Sequence, residues 1–178
     1  MWLCEGSKID WTAVAACIAL AIWLFDKYQR SGERAASARL LAQIMTSNIA
    51  TTQGELAKFR TTVVPPNGDQ SFLMDVRETQ DARKTLASKA LLIPIDLPSQ
   101  FLDKADFFSE SLSKTLANAF FQINHLKNFS KLLSDTPDSS SEEEIDARLM
   151  AVLSQIQEAE KAIGEAFMVL RQAGTATA

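Results

Sequence analysis

The chain is poor in the residues that stop helices and in those that carry chemistry. Its 178 residues include 6 glycines, 5 prolines, 2 cysteines and 1 histidine. Both cysteines, Cys4 and Cys17, stand near the start, so no disulfide framework can staple the rest of the chain. A helical di-iron site needs Glu-x-x-His pairs from two helices. Here Gln122-x-x-His125 occurs once, with an amide where the carboxylate should stand. No Cys/His cluster favours zinc, and neither a metal nor a cofactor is expected. There is no Gly-x-Ser-x-Gly, and Pro66-Asn67-Gly68-Asp69 is a turn without the Gly-Lys-Ser/Thr ending that cradles phosphate. Carboxylates at helical spacing, such as Asp103 with Asp106 or Glu158 with Glu165, read as solvated faces. An enzyme is not expected. Positive charge is also lacking: the net charge is −4, and residues 26–178 carry 17 basic against 20 acidic side chains. This balance excludes the basic footprint of a nucleic-acid partner.

What the chain does have is a run of fifteen uncharged residues, Trp11 to Phe25, between Asp10 and Asp26. A membrane-spanning helix needs about 20 apolar residues, with a lower bound near 17. Ile9 to Phe25 reaches that bound, and Lys27 and Tyr28 can lengthen it by placing their polar tips among headgroups. A buried core helix would show a polar face, and this run offers only Thr12 and Cys17. A cleaved signal would need a small-x-small site after the run, where Asp26-Lys27-Tyr28-Gln29-Arg30 stands instead. The expectation is a retained single span over 9–28, anchored by Trp11, Ile18, Ile22, Trp23 and Phe25, with the lipid bilayer as partner. Lys8 precedes it, and Lys27, Arg30, Arg34 and Arg39 follow. This bias predicts an outside N-terminal tail (1–8) and a cytoplasmic body, with a bacterial inner membrane as the expected setting. Ala13, Cys17 and Ala21 form a small-residue stripe that would let two such helices approach closely. Cys4 is read as a free thiol, with acylation of a juxtamembrane cysteine as the alternative.

Beyond the run, apolar residues recur at helical spacing between three breaks: 64–68, 94–98 and 135–141. The stripe Leu41, Met45, Ile49, Leu56, Phe59 and Val63, with Thr52 filling the missing turn, predicts a stalk helix over 29–62. A bundle over 69–173 is predicted from helices near 70–92, 99–133 and 142–172. The second carries Phe72, Val76, Leu86 and Ala90. The third carries ten stripe positions from Phe101 to Leu133 and six of the chain's ten phenylalanines. The fourth carries Ile145, Leu149, Val152, Ile156, Ala159, Ile163, Phe167 and Leu170, opened by a capping box in Ser141-x-x-Glu144. Loops of about five to eight residues favour antiparallel neighbours. The fold class is therefore all-α, a transmembrane helix continuing into a stalk that packs in an antiparallel three- to four-helix bundle.

Two adjacent aromatic pairs, Phe107-Phe108 and Phe120-Phe121, mark a surface. Neighbouring residues point about 100° apart on a helix, so burying both members needs cover over a wide face. The bundle supplies that cover, or a partner does. Asp135 to Asp146 holds six acidic residues, three serines and no basic residue, and reads as a solvated loop. The function that fits best is a single-pass membrane-anchored helical interaction protein, a non-enzymatic adaptor, scaffold or assembly subunit with a protein partner or further copies of itself. Alternatives are a sensor whose bundle binds a small ligand, lined by Asn118, Gln122, Asn124 and His125, and a membrane effector that oligomerises through its span.

Overall fold

The computed structural model describes residues 11–95 and 108–175, with side chains from Ile18 onward. Their regular structure is entirely helical, and no strand occurs among them. The five helices are α1 (Trp11–Val63), α2 (Ser71–Glu78), α3 (Gln80–Leu91), α4 (Glu110–Ser134) and α5 (Glu142–Thr175). The chain divides into two units, Met1–Ser37 and Ala38–Ala178.

The first unit overturns the membrane reading. Among the described residues, no helix is long and apolar enough to cross a membrane. The uncharged stretch of α1 runs from Trp11 to Phe25 and meets the charge of Asp26. At 1.5 Å per residue these fifteen residues cover about 22 Å, against the roughly 30 Å of a hydrocarbon core. The single-pass placement, with its outside N-terminus and cytoplasmic body, is therefore corrected. Of the expected anchor residues, Ile18, Ile22, Trp23 and Phe25 are exposed on α1. The side chains of Trp11, Ala13 and Cys17 lie outside the described residues, so the small-residue stripe is represented by Ala21 alone.

The second unit holds the core. Leu41, Met45, Ile49, Thr52, Leu56, Phe59 and Val63 are all buried, so the α1 stripe packs inward over its whole length. Thr52 belongs there because its single O–H has carbonyl acceptors within reach, Pro94 at 2.7 Å and Asn48 of its own helix at 3.1 Å. The helix stops where Pro65 and Pro66 remove donors and push the preceding residue out of the helical region. Gly68, at φ +75°, closes the turn with its N–H on the Pro65 carbonyl (3.1 Å). Asp69 then accepts from the Ser71 N–H (2.9 Å) at the start of α2.

The sequence predicts one helix over 70–92, and the structure divides it. Thr79 is extended (φ −128°, ψ 135°), and its hydroxyl accepts from the Ala82 N–H, capping α3. The break is held by Arg83, which is fully buried. Its guanidinium donates to the carbonyls of Val76 and Arg77 (both 3.1 Å), which α2 leaves open at its end, and to that of Thr136 (3.2 Å). It also pairs with the half-exposed carboxylate of Asp138. One side chain thus ties the α2–α3 break to the loop before α5.

The third predicted helix, drawn from 99, begins at Glu110 as α4. Ser109 is extended and accepts from the Leu112 N–H (3.2 Å), a serine cap that fixes the start. Residues 96–107, with Phe101 and Phe107, lie outside the described residues. α4 packs along α5, α3 packs on α4, and α2 meets α3 and α5. The α5 positions Ile145, Leu149, Val152, Ile156, Ala159, Ile163 and Leu170 are buried as their spacing requires. Each aliphatic side chain so buried contributes about 1.5–3 kcal/mol relative to exposure. Half of the capping box forms: the Glu144 N–H donates to Ser141 Oγ (3.3 Å), while the Glu144 carboxylate turns to Arg148. At the other end of α5, Gly174 leaves room for Gln43, whose Cγ would stand 3.2 Å from an added Cβ.

Candidate docking groove

The aromatic pairs separate once α4 is in place. Phe108 is buried, Phe120 packs half-buried against the core, and Phe121 is 53% exposed. The 100° step between neighbours on a helix gives this result: with Ile123 and Leu126 inward, Phe120 falls at the core's edge and Phe121 beyond it. The next two turns repeat the Phe121 position. His125 stacks on Phe121 with ring centroids 4.1 Å apart, and Phe129 meets His125 edge-on at 5.7 Å. The spacing of four residues aligns the three rings along one side of α4. Phe129, expected in the core stripe, is only half-buried, and the core position beside it is taken by Ser130. The Ser130 hydroxyl is buried without a hydrogen-bond partner.

α5 meets the Phe129 end of this stripe with small side chains. Phe129 and Leu132 on α4 and Ala147, Arg148 and Ala151 on α5 line an open hollow of about 270 Å³. Alanines opposite aromatics leave a trough between two helices, with Leu132 (53% exposed) on its α4 side. Arg148 fixes one end. Its guanidinium donates to the Leu132 carbonyl (3.0 Å) and Thr136 Oγ (2.8 Å) and pairs with Glu144 (2.6 Å). A cation on the last carbonyls of α4 offsets the negative end of its dipole. Two turns away, Gln155 Nε2 donates to the carbonyl (3.1 Å) and the side-chain oxygen (2.6 Å) of Gln122, fastening the helices under the trough.

No family model matches the chain, and no curated protein or solved structure matches it.

The polar residues considered for a ligand pocket do not converge. Gln122 is committed to Gln155 and also donates to Asn118 Oδ1 (3.4 Å), His125 lies between two phenylalanines, and Asn124 points to solvent. Among the described residues, no group of three or more His, Cys, Asp or Glu side chains could hold a metal ion. Sequence reasoning singled out Phe121 but missed Leu132, Ala147 and Ala151. The signal available was the ring spacing Phe121-x-x-x-His125-x-x-x-Phe129.

Proposed function

We propose that this chain is a helical interaction protein, an adaptor, scaffold or assembly subunit without catalytic activity. Its second unit serves as an antiparallel three- to four-helix bundle, and the α4–α5 groove receives an apolar helix of a protein partner. The observation that supports this reading is the open hollow in which Phe129 and Leu132 of α4 face Ala147 and Ala151 of α5, continued along α4 by the half-buried His125 and the exposed Phe121. A trough of this kind suits the helix-in-groove mode, in which residues one turn apart on the partner fill successive gaps. Aromatic rings that are already immobilised lose little entropy on contact, which concentrates binding energy in a few positions.

The test is photo-crosslinking of the full chain with a benzophenone amino acid in place of Phe121. The expected outcome is a crosslink to a discrete polypeptide that disappears when Phe129→Glu is added. Absence of any crosslinked polypeptide, or a crosslink indifferent to Phe129→Glu, would overturn the reading.

A further inference from the structure

The first unit carries a second uncovered apolar surface. Ile18, Leu20, Ile22, Trp23, Leu24 and Phe25 are each between 50% and 71% exposed. A helix apolar on every side is ordinarily covered. One of its sides also carries an excess of positive charge. Leu20, Trp23, Lys27, Arg30 and Arg34 follow one another at steps of three and four residues, so they form one stripe. Trp23, Lys27, Arg30 and Arg34 line the same shallow hollow on α1 together with Asp26 and Ser31, and Lys27 Nζ lies 5.0 Å over the Trp23 ring. The stripe is thus two apolar anchors followed by three cations, of which Arg30 is paired along its own helix with Asp26 (2.9 Å).

The α4–α5 groove has the complementary order. Its apolar row runs through His125, Phe129 and Leu132 and leads into 135–146, where six side chains are acidic and none basic. Asp138, Glu144 and Asp146 are paired with Arg83, Arg148 and Arg77. Asp135, Glu142 and Glu143 have no ion-pair partner among the described residues. The spacings agree as well. Seven residues separate Trp23 from Arg30, and six separate Phe129 from Asp135, about 10 Å and 9 Å at 1.5 Å per residue.

From this match we propose that the groove's occupant is residues 18–34 of α1 from a second copy of the chain, lying parallel to α4. Leu20 and Trp23 sit over His125 and Phe129, and Lys27, Arg30 and Arg34 meet Asp135, Glu142 and Glu143. This assignment rests on the reading of the groove as a docking surface. The surface given differs from the surface received, so the contact is heterologous and extends from copy to copy until a ring closes. One helix face on one trough makes a small interface, near the low end of the ~1,200 Å² of total area that specific contacts bury. Assembly is therefore concentration-dependent and sensitive to salt.

Sedimentation velocity of the full chain in aqueous buffer tests this, with circular dichroism showing that each variant keeps its helical content. The wild-type mass is expected to rise with concentration. Lys27→Glu with Arg34→Glu, and separately Glu142→Lys with Glu143→Lys, should each leave a monomer. Mixing the two double variants should restore association, because the acidic α1 of one then meets the basic first turn of α5 in the other. A wild type that stays monomeric overturns the assignment, as does one that floats with phosphatidylcholine vesicles instead of self-associating. Charge variants that assemble like wild type, or a mixture that stays monomeric, overturn it too. If Phe129→Glu removes a crosslinked polypeptide that is not this chain while the charge variants change nothing, the groove reading stands and the second-copy assignment fails.

Discussion

Two stretches of α1 differ in fate but not in kind. Leu41, Met45 and Ile49 are at most 7% exposed, while Ile18, Ile22 and Phe25 are 56–71% exposed. Both stretches are apolar, and both are helical. The first is packed in the core of the second unit, and the second stretch is exposed. A helical apolar residue is thus neither core nor surface by its own nature. The neighbour that reaches it decides, and the free energy of burial follows the neighbour.

The comparison can be broken most severely in the core. Ile163→Ala, at a position with no exposure, should lower unfolding free energy by about 3–4 kcal/mol through lost transfer and cavity terms. Ile22→Ala, at 64% exposure, should change it by less than about 0.5 kcal/mol. Urea unfolding followed by circular dichroism measures both. Equal losses would mean that the first unit is packed in solution.

Next in size is Arg83→Met. It keeps the volume of the stem but leaves the Val76, Arg77 and Thr136 carbonyls without their donor. A loss of about 3 kcal/mol is expected in the same unfolding measurement. An unchanged stability would show that the α2–α3 break is held by other contacts. Thr52→Val is a milder change at a stripe position of α1. It removes the donor to the Pro94 carbonyl at nearly constant shape, and about 1 kcal/mol should be lost. Ser130→Ala should run the other way, neutral or stabilising by up to about 0.5 kcal/mol, because the hydroxyl is buried without a partner.

The smallest effect belongs to Asp69. Hydrogen bonds from the Ser71 backbone, then from its side chain, hold this carboxyl below its ordinary value of 3.8. A carboxyl depressed in the folded state contributes stability above that value and loses it as pH falls through the folded value. Asp69→Asn should therefore flatten the acid limb of the urea midpoint slightly. A steeper limb in the variant would contradict the assignment.

Much of this architecture is legible in the sequence, and particular residues show where legibility ends. The period of three to four residues selects the buried face of α1 from Leu41 to Val63, of α4 at Leu112, Leu116, Ala119, Ile123 and Leu126, and of α5 from Ile145 to Leu170. Proline pairs and serine caps place the stops because their effects are local. Arg83 was hidden because periodicity registers apolar residues, and a guanidinium can occupy a stripe position only when carbonyls from elsewhere in the chain meet it. The groove was half visible. The ring spacing on α4 is a sequence property, but the facing alanines belong to a helix whose alignment is set by Gln122 with Gln155 and Leu132 with Arg148.

Local sequence accounts for the helical character of the chain, for the end of α1 at Pro65-Pro66 and for the apolar face of each long helix, since these depend on neighbours within a turn or two along the chain. Tertiary structure decided which apolar faces are covered. It divided one predicted helix at Thr79, left Phe121 outside while taking Phe120 to the core's edge, and left the row from Ile18 to Phe25 without a partner among the described residues. Those outcomes depend on contacts between segments far apart in sequence, and no local pattern records them.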